Sequence, residues 1–440
     1  MGEWHLSKYN IISQISPTTI GCFNSLRSSY CELNIQEALV FMDLNKFDLD
    51  DILIEKLKKL GMVVDFDEQE YLKSFTILSY ALRDSIVHLT IATTLACNFN
   101  CPYCFEKHCN DNNKMSIETQ NKLIEFIKNL LIKSEKKQLK IVWFGGEPLL
   151  AIDIIENISK QIIPFCDENN IIYNSDIITN GYLFNQDNVD LLNKYKVYNT
   201  QITLDGIEEI HDKTRHLING KGSFEKIISN LENVHYNGII SIRNNIYNEN
   251  KKEVEILKKI LKKIEKQTNN KIIYKPAPII NNPGEKRENQ VNYLNIEDGI
   301  YFELERRNNN IPKCKTNFCS ANSLHFISID PEGNLYKCCE DITFKEKSFG
   351  NIDTWDIKNP LKTAFNIDIL TKYINSAGIL DDECKDCNFL PICGGDCPSK
   401  KFFYNLKCPY TPFKKNPDYF IKKIREIVIK KNEQSNNRTN

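Results

Sequence analysis

Three thiols stand close together in Cys97-Asn98-Phe99-Asn100-Cys101-Pro102-Tyr103-Cys104. Thiolates suit iron–sulfur centres, and a loop this short brings all three to a common point. A [4Fe–4S] cluster usually takes four protein ligands and this stretch offers three, which leaves one iron open to something that is not protein. A zinc knuckle or ordinary reduced cysteines are the plainer uses of the same spacing. A second field of thiols lies near the other end of the chain. Cys319 is followed by thirteen residues and Gly333, then by four residues and Cys338. Next comes Cys384-x2-Cys387-x5-Cys393-x3-Cys397, and after ten residues Cys408. Cys314, five positions before Cys319, can supply an eighth ligand. Eight thiols can fully ligate two further [4Fe–4S] clusters, and a pair of tetrahedral zinc sites is the alternative that these spacings allow.

Other reactive groups follow the first loop. Gly145-Gly146-Glu147-Pro148 joins glycines, which let the backbone approach a ligand closely, to a carboxylate that can hold an ammonium group. By itself it also suits a tight turn. Thr179-Asn180-Gly181, Thr203-Leu204-Asp205-Gly206 and His211-Asp212-Lys213-Thr214-Arg215 come later, and Arg243 is a second cation. A guanidinium is suited to bidentate capture of a carboxylate, against the plainer reading of a structural salt bridge.

These groups must be positioned by the elements around them. Apolar, β-branched runs predict strands at 87–93, 139–144, 173–179, 200–204, 239–244 and 271–274. Helical patterns lie between them at 116–133, 152–169, 186–195, 223–235 and 250–266. Six strands alternating with helices demand a parallel sheet wrapped by those helices, with chemistry on loops at the carboxyl ends of the strands. The stripe from Glu253 to Ile264 reads as a sheet-covering face, although a basic amphipathic helix also suits a membrane surface.

Ahead of this region, residues from about 17 to 80 predict a separate small unit. It has strand-like pieces at 21–25 and 29–33, a short helical stretch from Asn34, and a helical stripe from Asp48 to Leu60 closed by Gly61. A short strand at 62–66 and a helix over 67–78 complete it. From Lys414 on, the pattern predicts a final helix, and the tail from Glu433 has a disordered composition.

With 57 basic and 58 acidic residues among 440, no global field points to nucleic acid or to an anionic membrane. The start, Met1-Gly2-Glu3-Trp4-His5-Leu6, lacks a signal-peptide layout and the Ser or Thr of a myristoylation site, and no run approaches a membrane span. Sixteen cysteines without a secretory signal argue for metal rather than disulfides. The expected location is cytoplasmic, with neither nucleic acid nor membrane as partner.

The three-cysteine loop with Gly145-Gly146-Glu147-Pro148 downstream resembles the radical S-adenosylmethionine (SAM) enzymes. The resemblance implies a partial (β/α)6 barrel, a cluster on Cys97, Cys101 and Cys104 whose open iron chelates SAM, and reductive cleavage of SAM to a 5′-deoxyadenosyl radical. It implies that Gly145, Gly146, Glu147 and Pro148 meet the SAM amino group, that Thr179 and Asn180 lie beside the ribose, and that Tyr103 packs by the adenine. Thr203, Asp205 and Arg215 resemble a further stretch of the same family in which the arginine faces the SAM carboxylate, with Thr203 in place of the commoner Ser. Arg243 is a second candidate for that carboxylate.

The late cysteines reproduce the SPASM pattern of auxiliary-cluster domains. By resemblance, Cys314, Cys319, Cys338 and Cys397 hold an inner cluster, and Cys384, Cys387, Cys393 and Cys408 an outer one, which makes three [4Fe–4S] clusters in all. Cys22, Cys31, Cys109, Cys166 and Cys339 are left as ordinary thiols. The front of the chain is similar to the RiPP recognition element, a winged-helix-like module on which the leader of a ribosomally made precursor peptide adds as a strand. The expected domains are therefore a leader-binding unit (1–82), the radical SAM barrel (83–300) and the SPASM domain with the final helix (301–440).

The expected activity is maturation of a precursor peptide, by a thioether or other crosslink, with an external electron donor such as flavodoxin or ferredoxin. An anaerobic sulfatase maturase, which makes formylglycine from Cys or Ser, is the alternative. Those relatives place an aspartate base directly after the cysteine matching Cys338, where this chain has Cys339, with Glu340 and Asp341 next as possible acid/base residues. A non-catalytic metal-binding peptide adaptor is the alternative of another class.

Overall fold

A computed structural model describes residues 4–43, 52–83, 85–104, 106, 113–279, 294, 311–314, 319–395, 397–404, 408 and 410–439. Cys109 and the start of the stripe from Asp48 lie outside the described residues, as does the boundary expected at 300.

The strands in chain order are β1 (His5–Leu6), β2 (Asn10–Ser16), β3 (Thr19–Asn24), β4 (Ser29–Asn34), β5 (Val63–Val64), β6 (Val87–Thr94), β7 (Gln138–Gly145), β8 (Ile172–Thr179), β9 (Val197–Thr203), β10 (Ile239–Ile246), β11 (Lys271–Pro278), β12 (Phe326–Ile329), β13 (Asn334–Tyr336) and β14 (Gly350–Asn351). The first nine helices are α1 (Ile35–Met42), α2 (Ile52–Leu60), α3 (Glu68–Arg83), α4 (Ile117–Ser134), α5 (Ile152–Glu168), α6 (Gln186–Lys194), α7 (Glu208–Thr214), α8 (Phe224–Asn233) and α9 (Val254–Thr268).

Strands β6 to β11 form the expected parallel sheet in sequential order. Sheet and helices enclose one large core that includes Leu89, Ile91, Trp143, Ile158 and Ile240. In α9 the buried residues are Val254, Leu257, Leu261 and Ile264, and the lysines face outward, so the basic stripe is a covering face. Among the described residues, no helix is long and apolar enough to cross a membrane.

The sheet is wider than six strands. Strand β12 pairs parallel with β6, with Phe326 opposite His88 and Ile329 opposite Ile91, and β13 and β14 continue antiparallel to give nine. This explains why β6 is almost wholly buried: it is an interior strand, not an edge. Gly333 turns the β12–β13 hairpin at φ +85°, where any Cβ would also lie 2.7 Å from Ile352 Cδ1. The hairpin delivers Cys338 two residues past β13.

The front unit holds the three-stranded antiparallel sheet β2–β3–β4. Its first strand, Asn10–Ser16, lies within the expected 1–82 unit but ahead of the elements read in it from about residue 17, although Ile11 and Ser13 alternate inward as a strand requires. One core of this sheet, with Cys22, Cys31 and Leu33, packs on Phe41 of α1 and on Ile54 and Leu57 of α2. On another, Ile11 and Phe23 share a core with Phe389, Phe413, Phe420, Ile421 and Ile424. The front sheet is thus buried against the C-terminal helix Asp418–Thr439, and Arg425 pairs with Glu32 at 2.8 Å. That helix continues past Glu433 to Thr439, because no Gly or Pro interrupts its backbone there.

Candidate active site

The cysteine loop, Gly145-Gly146-Glu147-Pro148, Thr179-Asn180-Gly181 and Thr203-Leu204-Asp205-Gly206 each lie at or just beyond a strand's carboxyl end, whereas Arg215 follows α7 and Arg243 sits within β10. The three-cysteine loop leaves β6, and Gly145-Gly146-Glu147 leaves β7 and docks on it. Gly146 N–H donates to Thr94 O at 3.0 Å and Glu147 N–H to Ala96 O at 2.9 Å. A Cβ on Gly145, at φ +127°, would stand 2.1 Å from Thr94 O, and one on Gly146 would stand 2.4 Å from Ala96 O. Both glycines are required by that close approach. From the other side, Asn100 N–H donates to His216 O and Ile218 N–H to Asn98 O.

The loop thiols are in each other's field. Burial first, then the charges of Glu147, Cys101 and Cys104, pushes the Cys97 thiol up to about 12, against a bond from Phe99 N–H. Burial likewise pushes Cys104 up to about 11. Thiols held this high ionise readily only toward a metal, which fits a cluster site. Among the described residues no three Cys, His, Asp or Glu side chains converge on a single-ion position, and an iron–sulfur cube asks for no such convergence.

Glu147 is fully buried and its carboxylate ties the ends of β7 and β8 together. Oε1 accepts from Thr179 Oγ1 (2.6 Å) and Leu149 N (3.0 Å), and Oε2 from Asn180 N (2.7 Å). Pro148 opens the short turn that Glu147 caps. Asn180 Nδ2 reaches Asn98 Oδ1 at 2.7 Å, so the Thr179-Asn180-Gly181 segment also holds the cysteine loop.

Opposite them lies a second network. The Tyr103 hydroxyl donates to Asp205, which also accepts from Thr214 Oγ1 (3.0 Å) and Asn245 Nδ2 (3.2 Å). Arg215 Nη1 donates to Tyr103 OH at 3.1 Å and the guanidinium lies over the Phe99 ring. Burial works against its charge, yet Tyr103, Cys101 and Asp205 hold it well above its ordinary value. Arg215 Nε is buried with no partner among the described residues, so a donor stands ready for an anion such as a carboxylate. Arg243 Nε is committed to Asn245 Oδ1 at 2.9 Å, and Thr203 is buried at the end of β9.

His211 and Asp212 serve as supports. His211 Nδ1 accepts from Asp205 N–H, its Nε2 bonds Ser223 Oγ at 3.0 Å, and that hydroxyl donates to Arg215 O at 2.6 Å. Asp212 Oδ1 accepts from Ser223 N and Phe224 N at the start of α8. Burial, and secondarily Arg215, pushes His211 well below 6.5. The unfolded chain therefore takes up a proton that the native histidine refuses, so stability will fall as pH drops below 6.5. Urea titrations of wild type and His211→Gln across that range will show a shallower decline in the variant.

One residue of the site went unread in the sequence. Glu106 stands two residues beyond Cys104, where its backbone N–H faces the Cys104 thiol. Burial first, and then Glu147, pushes its carboxyl up to about 8. Its Oε1 is buried without a hydrogen-bond partner among the described residues. A lone acid in the stretch Tyr103-Cys104-Phe105-Glu106 was the available signal.

The late cysteines fall into sets. Cys384 feels the charge of Cys393, and Lys414 is hydrogen-bonded to both Cys387 and Cys408. Cys397 feels Cys319 and Glu340, and Cys338 feels Glu340 and Asp341. Cys314 has a different anchor: its N–H donates to Ser28 Oγ at 3.0 Å, and its side chain borders a core that Cys384 and Cys387 also border. Asp341 is buried and fully engaged, accepting from Lys347 (2.9 Å), Ser399 (3.1 Å) and Tyr373. Glu340 is partly exposed, and its charge acts on Arg243 across from the barrel.

Residues 91–261 match the Radical SAM superfamily. The chain therefore carries a radical SAM domain and is an enzyme, and that superfamily implies a [4Fe–4S] cluster and SAM as cofactors. The chain is 28% identical over 339 residues to a cysteine-type anaerobic sulfatase-maturating enzyme of Clostridium novyi (strain NT), covering 69% of this chain and 86% of the relative. It is 24% identical to the radical SAM cyclopropyl synthase TigE of Paramaledivibacter caminithermalis (strain DSM 15212 / CIP 107654 / DViRD3), covering 90% of this chain and 89% of the relative. A solved structure of native anSMEcpe with bound AdoMet and Cp18Cys peptide shares the fold, at a TM-score of 0.55 and 18% identity over 79% of this chain and 99% of that one. The unpartnered Arg215 Nε, the buried thiols and the tight glycine cradle fit that cofactor pair.

Proposed function

We propose that this enzyme matures a ribosomally made precursor peptide, whose leader docks on the front unit while its core enters the barrel mouth. The observation that carries the reading is an apolar face on that unit. Ile35, Leu39 and Met42 of α1 are 53%, 64% and 64% exposed. They line a groove with Ile20, Pro17 and Ala38, beside a three-stranded sheet whose outer strands β2 and β4 pair with no further strand among the described residues. Apolar anchors beside an open strand edge are what β-augmentation needs. The alignment with the cyclopropyl synthase spans 90% of the chain, which takes in more than the barrel. The name of the Clostridium novyi relative, a sulfatase-maturating enzyme, supports a polypeptide substrate.

In this reading Cys97, Cys101 and Cys104 hold the SAM-binding cluster. Cys384, Cys387, Cys393 and Cys408 hold an outer auxiliary cluster, and Cys319, Cys338 and Cys397 an inner one, with Cys314 approaching from the outer side. SAM bound at the first cluster would supply the hydrogen-abstracting chemistry needed to take a Cα or Cβ hydrogen from the core peptide. The protein's part is orientation and exclusion of water. Arg215 receives the SAM carboxylate, and Asp205 with Tyr103 fixes the guanidinium. Glu340, rather than the fully bonded Asp341, is free to move a proton at the substrate. The product is a thioether or other crosslink, the electron donor a flavodoxin or ferredoxin, and the location the cytoplasm.

Formylglycine formation on a sulfatase is the second reading, favoured by the 28% likeness to the Clostridium novyi enzyme. Cys339 in the place of an aspartate base and the leader-docking unit weigh against it. Anaerobic, dithionite-reduced enzyme with SAM and a leader-bearing cysteine peptide separates the two by mass. A crosslink removes two hydrogens, whereas formylglycine exchanges the thiol for an aldehyde. The double variant Leu39→Asp/Met42→Asp will lower modification of that peptide about tenfold or more while peptide-free SAM cleavage stays unchanged. Equal modification by wild type and variant refutes docking at the groove.

A further inference from the structure

We propose that Cys22 and Cys31 are the two halves of a reversible cross-strand disulfide, a redox staple inside the front unit that does not depend on its proposed docking role. The two residues stand directly opposite each other in the antiparallel pair of β3 and β4. Opposite residues of such a ladder have Cα atoms about 4.5–5.5 Å apart, inside the roughly 4.4–6.8 Å that a disulfide spans, so the bridge can close with little movement of the backbone. Both side chains lie on the same inner face, where they share one core with Leu33, Phe41 and Leu57. The thiols already meet there, and the Cys22 S–H donates to Cys31 Sγ.

The surroundings give the two thiols different parts. Cys22 is fully buried, and Met62 Sδ stands 3.3 Å from its sulfur on another side. Cys31 is 6% exposed and lies on β4, an outer strand of its sheet, where local opening reaches solvent at low cost. The hydrogen bond from Cys22, helped by Lys56 and opposed by burial, holds the Cys31 thiol below its ordinary value. Cys31 is therefore the attacking thiolate and Cys22 the resolving thiol. The oxidant is a low-molecular-weight disulfide. Cys31 attacks one of its sulfurs and releases a small thiolate. Cys22 then gives up its proton, attacks the Cys31 sulfur of the mixed disulfide and releases the second small thiolate. The protein loses two hydrogens, the small disulfide leaves as two thiols, and an excess of that thiol reverses both exchanges. The bridge ties the strand that carries Ile20 of the apolar groove to the strand that ends in Asn34, whose side chain caps α1. Oxidation thus stiffens the frame on which Leu39 and Met42 are carried.

The experiment equilibrates the anaerobic, cluster-loaded full chain with 2-hydroxyethyl disulfide and its thiol at graded ratios. Acid quenching, alkylation in denaturant and peptide mapping by mass then follow the thiols. Trypsin cuts after Arg27, between the two cysteines, so a bridge survives as a linked pair of peptides. Wild type will show that linked pair as the disulfide fraction rises, and excess thiol will remove it. Amide hydrogen exchange over residues 19–34 will slow at least about tenfold in the oxidised form, because the closed loop restricts the opened strands. Cys22→Ser will stop at a mixed disulfide on Cys31, whereas Cys31→Ser will leave Cys22 unmodified. Cys22 and Cys31 both recovered as alkylated thiols from wild type at the most oxidising ratio overturn the proposal without recourse to a variant. A linked pair with unchanged exchange overturns the staple, and a mixed disulfide on Cys22 in Cys31→Ser overturns the order of attack.

Discussion

Replacing Cys97, Cys101 and Cys104 together with alanine will remove about a third of the iron of the reconstituted protein and abolish 5′-deoxyadenosine formation. The three thiols stand on one loop, clamped by Gly146, Glu147, His216 and Ile218 through backbone bonds that do not involve the sulfurs. The loop will therefore keep its path without them, and the effect on melting temperature will be small beside the loss of chemistry. In the proposed reading the remaining iron belongs to the late cysteines, which are distant in sequence and of which Cys314, Cys384 and Cys387 border a different core. Iron and sulfide analysis with anaerobic assay for deoxyadenosine checks both halves. Deoxyadenosine at the wild-type level in the triple variant would show that other residues hold the SAM-cleaving cluster, and zinc in place of iron would end the enzymatic reading.

The second large effect concerns stability. Asp341→Ala will destabilise the protein by about 3–5 kcal/mol, because it removes the carboxylate counter-ion of a buried ammonium. Lys347 is only 7% exposed in its side chain and loses its counter-ion at 2.9 Å. Ser399 and the Tyr373 hydroxyl lose their acceptor in the same step. Glu340→Gln, one position away, removes a charge that is partly solvated and will leave the melting temperature within a degree or two, while peptide modification slows if Glu340 moves the proton. Thermal denaturation of the two variants side by side checks the division of labour. A stable Asp341→Ala enzyme that cleaves SAM but leaves the peptide untouched would return the acid/base role to Asp341.

The strands at 87–93 and 239–244 were legible because β-branched runs buried on both faces leave a simple pattern, and each lies within an observed strand. The cysteine loop and Gly145-Gly146 were legible too, since ligand spacing and close backbone approach are local demands. Strand β2 carried its alternation openly, yet it preceded the strand-like pieces read in the front unit. The pairing of β12 with β6 left no trace in the sequence. A four-residue strand gains its identity from the edge it joins, more than two hundred positions away.

By itself, then, the order of residues determined which atoms can hold iron, which loops must come close to them, and that a parallel sheet carries those loops. Only the tertiary structure decided how the carboxylates divide their work. Glu147 and Asp341 are consumed by protein donors, and Glu106 Oε1 has no donor among the described residues. The reason is physical. A ligand set is written in residue types and spacing, whereas the availability of a lone pair depends on which donors folding brings within about 3 Å of it.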